Sequence, residues 1–305
     1  MAGYIAERLA RGVVVLLGVI LVAFTLVNLT GDPAAAMLGP DASSADIERL
    51  RREMGFDDPI PVQFVRYVVQ MLRGDFGRSS LYRQPTLPLI LERLPATLLL
   101  AASVMAVNLA ISVPLGVFSA VRRGSWVDMF GTALVFTGQS MPVFWFAVVL
   151  ILLFSLTLRW LPPSGFGAQN LIMPAFVLGV HGAAYQTRLL RSAMLEVLAH
   201  DYIRAARAKG LSERLVLARH GLRNALIPVV TASGIQFAGL MGGAVVVETV
   251  FAWPGLGNLA VQAIHNRDVN LVVSIALVFA VFILLVTLLV DLSYGLVDPR
   301  VRLAK

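Results

Sequence analysis

Cysteine is absent from the 305-residue chain, which excludes disulfides and thiolate metal sites and leaves the redox compartment unreadable. Charge is scarce too: 14% of residues are Asp, Glu, Lys or Arg, against about 25% in a soluble domain. Acidic residues are the rarer sign, 18 against 25 Lys plus Arg, for a net charge of +7. That excess does not call for nucleic acid, because the basic residues sit beside long apolar runs, where membrane topology alone places them. No G-x-x-x-x-G-K-[ST] phosphate loop, H-E-x-x-H or G-x-S-x-G elbow occurs. The histidines, His181, His200, His220 and His265, share no metal-ligand spacing. Catalytic, cofactor-binding and metal-binding residues are therefore expected to be none.

What is abundant is apolar: 58% of residues are hydrophobic. Six stretches pass the length test for crossing a hydrocarbon core, which takes about 20 mostly apolar residues: roughly Gly12–Leu29, Ala96–Val121, Phe130–Leu156, Leu171–Leu189, Ala225–Val247 and Val269–Val290. The pattern predicts an all-α, polytopic membrane bundle of six transmembrane helices. The fourth stretch is the weakest, with an expected break at Pro174, Gly179, His181, Gly182 and Gln186. Arg8 and Arg11, the first run and Ala34–Ala36 resemble a cleaved signal peptide, but the run is longer than such a core, so it is read as a span. Arg8 and Arg11, Arg122 and Arg123, the 188–223 cluster, and Arg300, Arg302 and Lys305 fall on one side, which places both termini in the cytoplasm.

Between the first two spans, residues 30–95 form a helical extracytoplasmic segment. Ser43, Ser44 and Asp46 open a helix that Gly55 closes; Pro61 opens a second, with Val62, Val65, Val69 and Leu72 as an apolar stripe. Gly74–Ser79 reads as a turn. The segment either packs as a lid on the bundle or also meets an external partner. The expected division is 1–94 (first helix plus this segment), 95–298 (five-helix core) and 299–305 (cytoplasmic tail).

Polar side chains inside spans need partners or a wet cavity. Asn108 lies in the second span, Gln139 and Ser140 in the third, His181 and Gln186 in the fourth, and Thr231, Ser233, Gln236 and Glu248 in the fifth. Gln139, Ser140, Gln186, Thr231, Ser233 and Gln236 are candidates for lining a path for a polar, variable solute, with helix-joining hydrogen bonds as the alternative. The small residues Gly239 and Gly243 are helix-packing candidates, either within the bundle or at a seam with a second, homologous subunit.

Residues 200–223 are the most charged part of the second half and lie between apolar runs. D-Y-I-R-A-A-R-A-K predicts a helix closed by Gly210 in a left-handed cap, with Ser212 capping the next. Such an elbow can fit a groove on a cytoplasmic partner; by composition alone, a basic loop paired with anionic lipid is the alternative.

D-Y-I-R-A-A-R-A-K-G-L-S-x7-H-G-L-R-N-A-L-I-P-V-V resembles the coupling motif of permeases in binding-protein-dependent ABC importers, of the dipeptide/oligopeptide/nickel branch. Ala205, Ala206 and Gly210 match the family's E-A-A-x3-G, while Arg204 replaces its acid and His220-x-Leu222-Arg223-Asn224 replaces I-x-L-P, as in the peptide branch. G-D-P (31–33), G-D-F-G-R-S (74–79), E-R-L-P-A-T (92–97), S-M-P-V-F-W (140–145), F-A-W-P-G-L-G (251–257) and V-D-P-R-V-R (297–302) extend the likeness almost end to end.

The resemblance implies the type I ABC importer permease fold in a bacterial plasma (inner) membrane. It implies a second homologous permease, two cytoplasmic ATPase subunits or domains that bind ATP and Mg, an extracytoplasmic solute-binding protein and surrounding membrane lipid, with no cofactor in this chain. ATPase coupling would fall to Asp201, Arg204, Ala205, Ala206, Lys209, Gly210, Leu211 and Ser212. The chain would form half of an alternating-access path for di- and oligopeptides; nickel complexes, glutathione or another small solute are the alternatives. From other classes, an ion-coupled secondary transporter lacks visible inverted repeats or a midplane ion site. A membrane enzyme lacks clustered catalytic residues, and a structural subunit sits poorly with amide-rich spans.

Overall fold

In a computed structural model the protein is described over residues 2–29 and 43–297; the G-D-P motif at 31–33, Ala34–Ala36 and the 299–305 tail lie outside that range. The helices are α1 (Ala2–Leu29), α2 (Ser44–Met54), α3 (Ile60–Leu72), α4 (Thr86–Val121), α5 (Trp126–Ser140), α6 (Val143–Leu150), α7 (Ala168–Leu198), α8 (Asp201–Ala208), α9 (Arg223–Gly243), α10 (Val245–Val250), α11 (Leu256–His265) and α12 (Val269–Val297). A π-helical stretch, Ile151–Thr157, prolongs α6. A second, Val216–Leu222, follows the short turn Glu213–Leu215 and runs into α9. Among the described residues the sole β-type pairing is one bridge between Arg78 and Pro85.

Among the described residues three helices meet the length and apolarity of a span outright: Thr86–Val121, Glu213–Gly243 and Val269–Val290. The third expected span is a bent pair, Gly131–Ser140 and Val143–Thr157. Its break was not expected and follows from Pro142, which pushes Met141 into extended backbone (φ −77°, ψ 136°) and ends α5. Conversely, the break expected in the fourth stretch does not occur, since α7 runs for 31 residues straight through Pro174. α7 packs on α5, α6 and α9 and buries much of its length, so it carries polar residues that a lipid-facing helix would not. The described apolar part of α1, Ala10–Thr25, is shorter.

The chain folds as two compact units, Met1–Pro95 with Gly255–Leu285, and Ala96–Pro254 with Val286–Lys305. In the first, Ser43 caps α2 by accepting the Asp46 N–H, and Gly55 closes it at φ 67°, as the sequence predicts. The Gly55 carbonyl accepts Arg66 Nη1 at 3.1 Å, while Arg66 Nη2 pairs with Asp58. α3 packs on α1 through Phe64 and Tyr67, whose rings lie 5.5 and 5.6 Å from that of Phe24. The predicted stripe Val62, Val65, Val69 and Leu72 therefore faces away from the chain and is exposed. The loop after α3 is fastened to the α11–α12 corner. Buried Asp268 accepts the Ser79 hydroxyl, the Leu81 N–H (3.1 Å) and the Leu271 N–H (3.1 Å). Beneath it Leu89, Ile90, Leu256, Leu259, Leu271 and Ile275 form an apolar core.

In the second unit, Leu190 and Met194 of α7 pack against Ala225 and Val229 of α9 and Ala120 of α4. Trp253 is fully buried, its indole N–H donating to the Ala96 carbonyl (2.9 Å) and its ring 4.9 Å from that of Phe166. Buried Glu248 accepts the Thr97 hydroxyl at 2.8 Å, fastening α10 to α4. Near the α5 start, Arg191 of α7 reaches Asp128 at 3.3 Å.

Candidate functional site

The elbow predicted from 200–223 is present. α8 ends at Ala208 with Lys209 as its C-cap, Gly210 adopts φ 77°, and a short turn restarts at Glu213. Gly210 donates to the Arg207 carbonyl at 2.9 Å, the tight reversal a left-handed residue permits. Ser212 takes the cap position, though by its carbonyl, which accepts the Leu215 and Val216 N–H groups, and not by its hydroxyl. Arg207 closes the corner with two parallel bonds to Glu213, Nη2–Oε1 2.8 Å and Nε–Oε2 3.1 Å. That pairing raises the Arg207 guanidinium above its ordinary pKa.

α8 has two faces. Ile203 and Ala206 are buried against Val216, Val197 and Leu198. Asp201, Arg204, Ala205, Lys209, Gly210, Leu211 and Ser212 are exposed, and a Cβ on Gly210 would meet nothing within 4 Å. Ala206, one of the residues to which the resemblance assigns coupling, thus spends its small size on internal packing; Ala205 is on the open face. Arg204 pairs with Asp201, while Lys209, Arg214, Arg219 and Arg223 are exposed with no ionic partner among the described residues. Asn224 Nδ2 donates to the Tyr202 hydroxyl at 3.0 Å and holds α8 to α9. The π-helical Val216–Leu222, which widens the backbone beside the elbow, has no signal in the sequence.

The candidate path residues separate into two groups. Gln139 and Ser140 end α5 just before the bend, and the Ser140 hydroxyl is exposed and bonds back to the Phe136 carbonyl. Thr231 is half-buried and bonds back to Ile227. Gln186, Ser233 and Gln236 instead join one another: Gln186 Nε2 donates to Ser233 Oγ (3.0 Å) and Gln236 Oε1 (3.1 Å). Asn108 of α4 enters the same cluster through its 2.9 Å bond to Gln236 Oε1. Asn108 and Gln186 are fully buried, the arrangement expected of amides that join helices.

Gly239 and Gly243 are exposed, with nothing within 4 Å of a Cβ on either, so none of the described residues packs on those two positions. Close approach within the unit occurs one turn earlier, where a Cβ on Gly234 would lie 2.1 Å from Val290.

Residues 112–303 match the family described as binding-protein-dependent transport system inner membrane component, and residues 1–101 match its N-terminal companion. The chain is 41% identical over 315 residues to the oligopeptide transport system permease protein AppB of Bacillus subtilis, covering 99% of this chain and 100% of that one. It is 41% identical over 304 residues to the glutathione transport system permease protein GsiC of Salmonella paratyphi A, covering 99% of both. An inward-facing structure of the MetNI methionine ABC transporter shares the fold, with a TM-score of 0.59 at 22% identity over 69% of this chain and 96% of that one. The family match over residues 112–303 and this likeness along the whole length make the chain a member of the binding-protein-dependent inner membrane permeases of ABC importers.

Proposed function

We propose that the chain forms half of an alternating-access path for di- and oligopeptides, driven by ATPases on separate polypeptides that dock on the α8 elbow. The observation that carries this is the elbow's build. Its inner face is fixed by Ile203, Ala206 and Val216 and its corner by Arg207–Glu213, while Ala205, Gly210 and Leu211 stand open. A rigid projection joined directly to α7 and α9 converts motion of a docked partner into motion of spans. Four unpaired cations beside it suit an acidic groove. ATP and Mg belong to those partners, and a second permease and an extracytoplasmic binding protein complete the assembly, with both termini cytoplasmic. The peptide reading draws on the oligopeptide relative. Glutathione, itself a tripeptide, is a second cargo to which the relative of equal identity points.

The test is uptake of labelled dipeptide, tetrapeptide and glutathione into proteoliposomes holding the complex, with and without ATP. Arg204→Glu and Gly210→Trp are expected to abolish ATP-driven uptake while the chain still inserts. Wild-type uptake in both, or uptake by this chain alone down an ion gradient, would overturn the reading.

A further inference from the structure

Where α4, α7 and α9 meet, neutral polar side chains carry more hydrogen-bonding atoms than they can pair among themselves. Gln236 Oε1 takes both the Asn108 and the Gln186 amide N–H groups. Left over at this junction, buried and with no protein partner among the described residues, are Asn108 Oδ1, Ser112 Oγ, Gln186 Oε1 and Thr187 Oγ1. Turning the amides over does not cure this. Asn108 and Gln186 each present one end to the same atom of Gln236, so the other end of each stays free under either assignment.

These atoms lie together by helix register. Gly182 abuts Asn108, and Gly116 abuts Leu190, two turns further along each helix. Ser112 and Gln186 are midway between those contacts on the facing sides, so they come level, with Thr187 beside them. The space is made by glycine: a Cβ on Gly182 would stand 1.9 Å from Gln236 Nε2 and 2.6 Å from Asn108 Nδ2.

Buried polar atoms without partners are strongly disfavoured, and four in one place are not a packing accident. These four atoms are neutral oxygens, and two of them, on Ser112 and Thr187, can also donate. The other two unpaired buried atoms, His181 Nδ1 and Arg191 Nε, flank the set on α7, and the Arg191 charge is already met by Asp128. Water, which requires two to four polar partners in a polar site, fits that set.

We propose that the α4–α7–α9 junction is an internal water site pairing the free oxygens of Asn108, Ser112, Gln186 and Thr187, and that this wet seam lets the three helices exchange partners as the transporter changes state. The water site stands on burial and unpaired atoms; its use in the cycle rests on the permease reading above. A dry apolar seam would hold the helices more firmly, whereas bound water can trade hydrogen bonds as they slide.

X-ray hydroxyl-radical footprinting of the assembled complex in lipid nanodiscs reads the site, because radiolysis of a bound water releases a hydroxyl radical that oxidises the side chains beside it. Leu190 at the junction is expected to be labelled several-fold above Ile90, which is as buried as Leu190 but sits in an apolar core. The excess should vanish in Asn108→Leu/Gln186→Leu. Equal labelling of Leu190 and Ile90 in the wild type overturns the water site without needing any variant. For the cycle, Asn108→Leu/Gln236→Leu should keep or raise the thermal midpoint while ATP-driven uptake falls about tenfold. Loss of both, or unchanged uptake, overturns the hinge role. A wild-type complex without any ATP-driven uptake would sink the permease reading while the footprint still decides the water site.

Discussion

Asp268 and Ser79, separated by 189 positions along the chain, share a buried hydrogen bond between carboxylate and hydroxyl. The same carboxylate accepts two main-chain N–H groups, from Leu81 and from Leu271 in the first turn of α12. One side chain thereby caps a helix and fixes the loop after α3.

Asp268→Ala should therefore release that loop. It strands two buried donors, the Ser79 hydroxyl and the Leu271 N–H, and the part-buried Leu81 N–H, each lost buried pairing being worth about 1–3 kcal/mol. A net loss of about 3 kcal/mol is expected, with Ser79→Ala costing roughly 1 kcal/mol. Limited proteolysis of the 74–85 loop in the folded complex checks it: cleavage should speed up strongly in Asp268→Ala and modestly in Ser79→Ala.

The two adjacent alanines of the elbow should behave differently. Ala206 is buried against Val216, so Ala206→Trp overpacks the corner and is expected to cost at least about 1–3 kcal/mol. Ala205 is exposed, so Ala205→Trp should leave stability within about 0.5 kcal/mol while obstructing whatever docks there. Thermal unfolding and ATP-driven uptake, measured on both, separate the roles. A stable Ala205→Trp variant with full uptake would remove that face from the docking surface.

How much of this was legible depended on distance along the chain. Ser43, Gly55 and Gly210 act within a few residues of themselves, so their caps and turns could be read from spacing. The stop at Pro142 is equally local, yet the apolar run through it concealed the break; Pro174 offered the same cue inside a continuous helix. What decides between them is the packing around α7, which sequence order does not display. The same holds for Ala206 against Ala205, for α3 turning its valines outward, and for Asn108, an isolated amide in sequence whose partner Gln236 lies 128 residues on.

Asp128 sets a pH dependence. The Gly124 backbone N–H, then the Ser119 hydroxyl and Arg191, hold its carboxyl below the ordinary value of 3.8. A carboxyl depressed on folding stabilises the fold at every pH above its unfolded value, and that contribution fades as pH falls through the folded one. Stability should thus be insensitive to Asp128 ionisation above pH 3.8 and drop below it. Asp128→Ala should remove that part of the acid limb. At neutral pH it should destabilise by about 1–3 kcal/mol, since Arg191 loses its partner. Thermal midpoints of both proteins between neutral and acid pH check the sign.

The glycines of α9 make the last contrast. A Cβ at Gly234 falls 2.1 Å from Val290 Cγ2, so even alanine forces α9 and α12 apart, and Gly234→Leu should cost at least about 1–3 kcal/mol. Gly239 and Gly243 have nothing within 4 Å. Leucine there is free of clash and removes the helix penalty of glycine, roughly 1 kcal/mol per position, so the isolated chain should be no less stable. If that open face is where a second permease packs, Gly239→Leu and Gly243→Leu will weaken co-purification of the two permeases while leaving insertion of this one intact. If co-purification is unchanged, the pair must join through another surface.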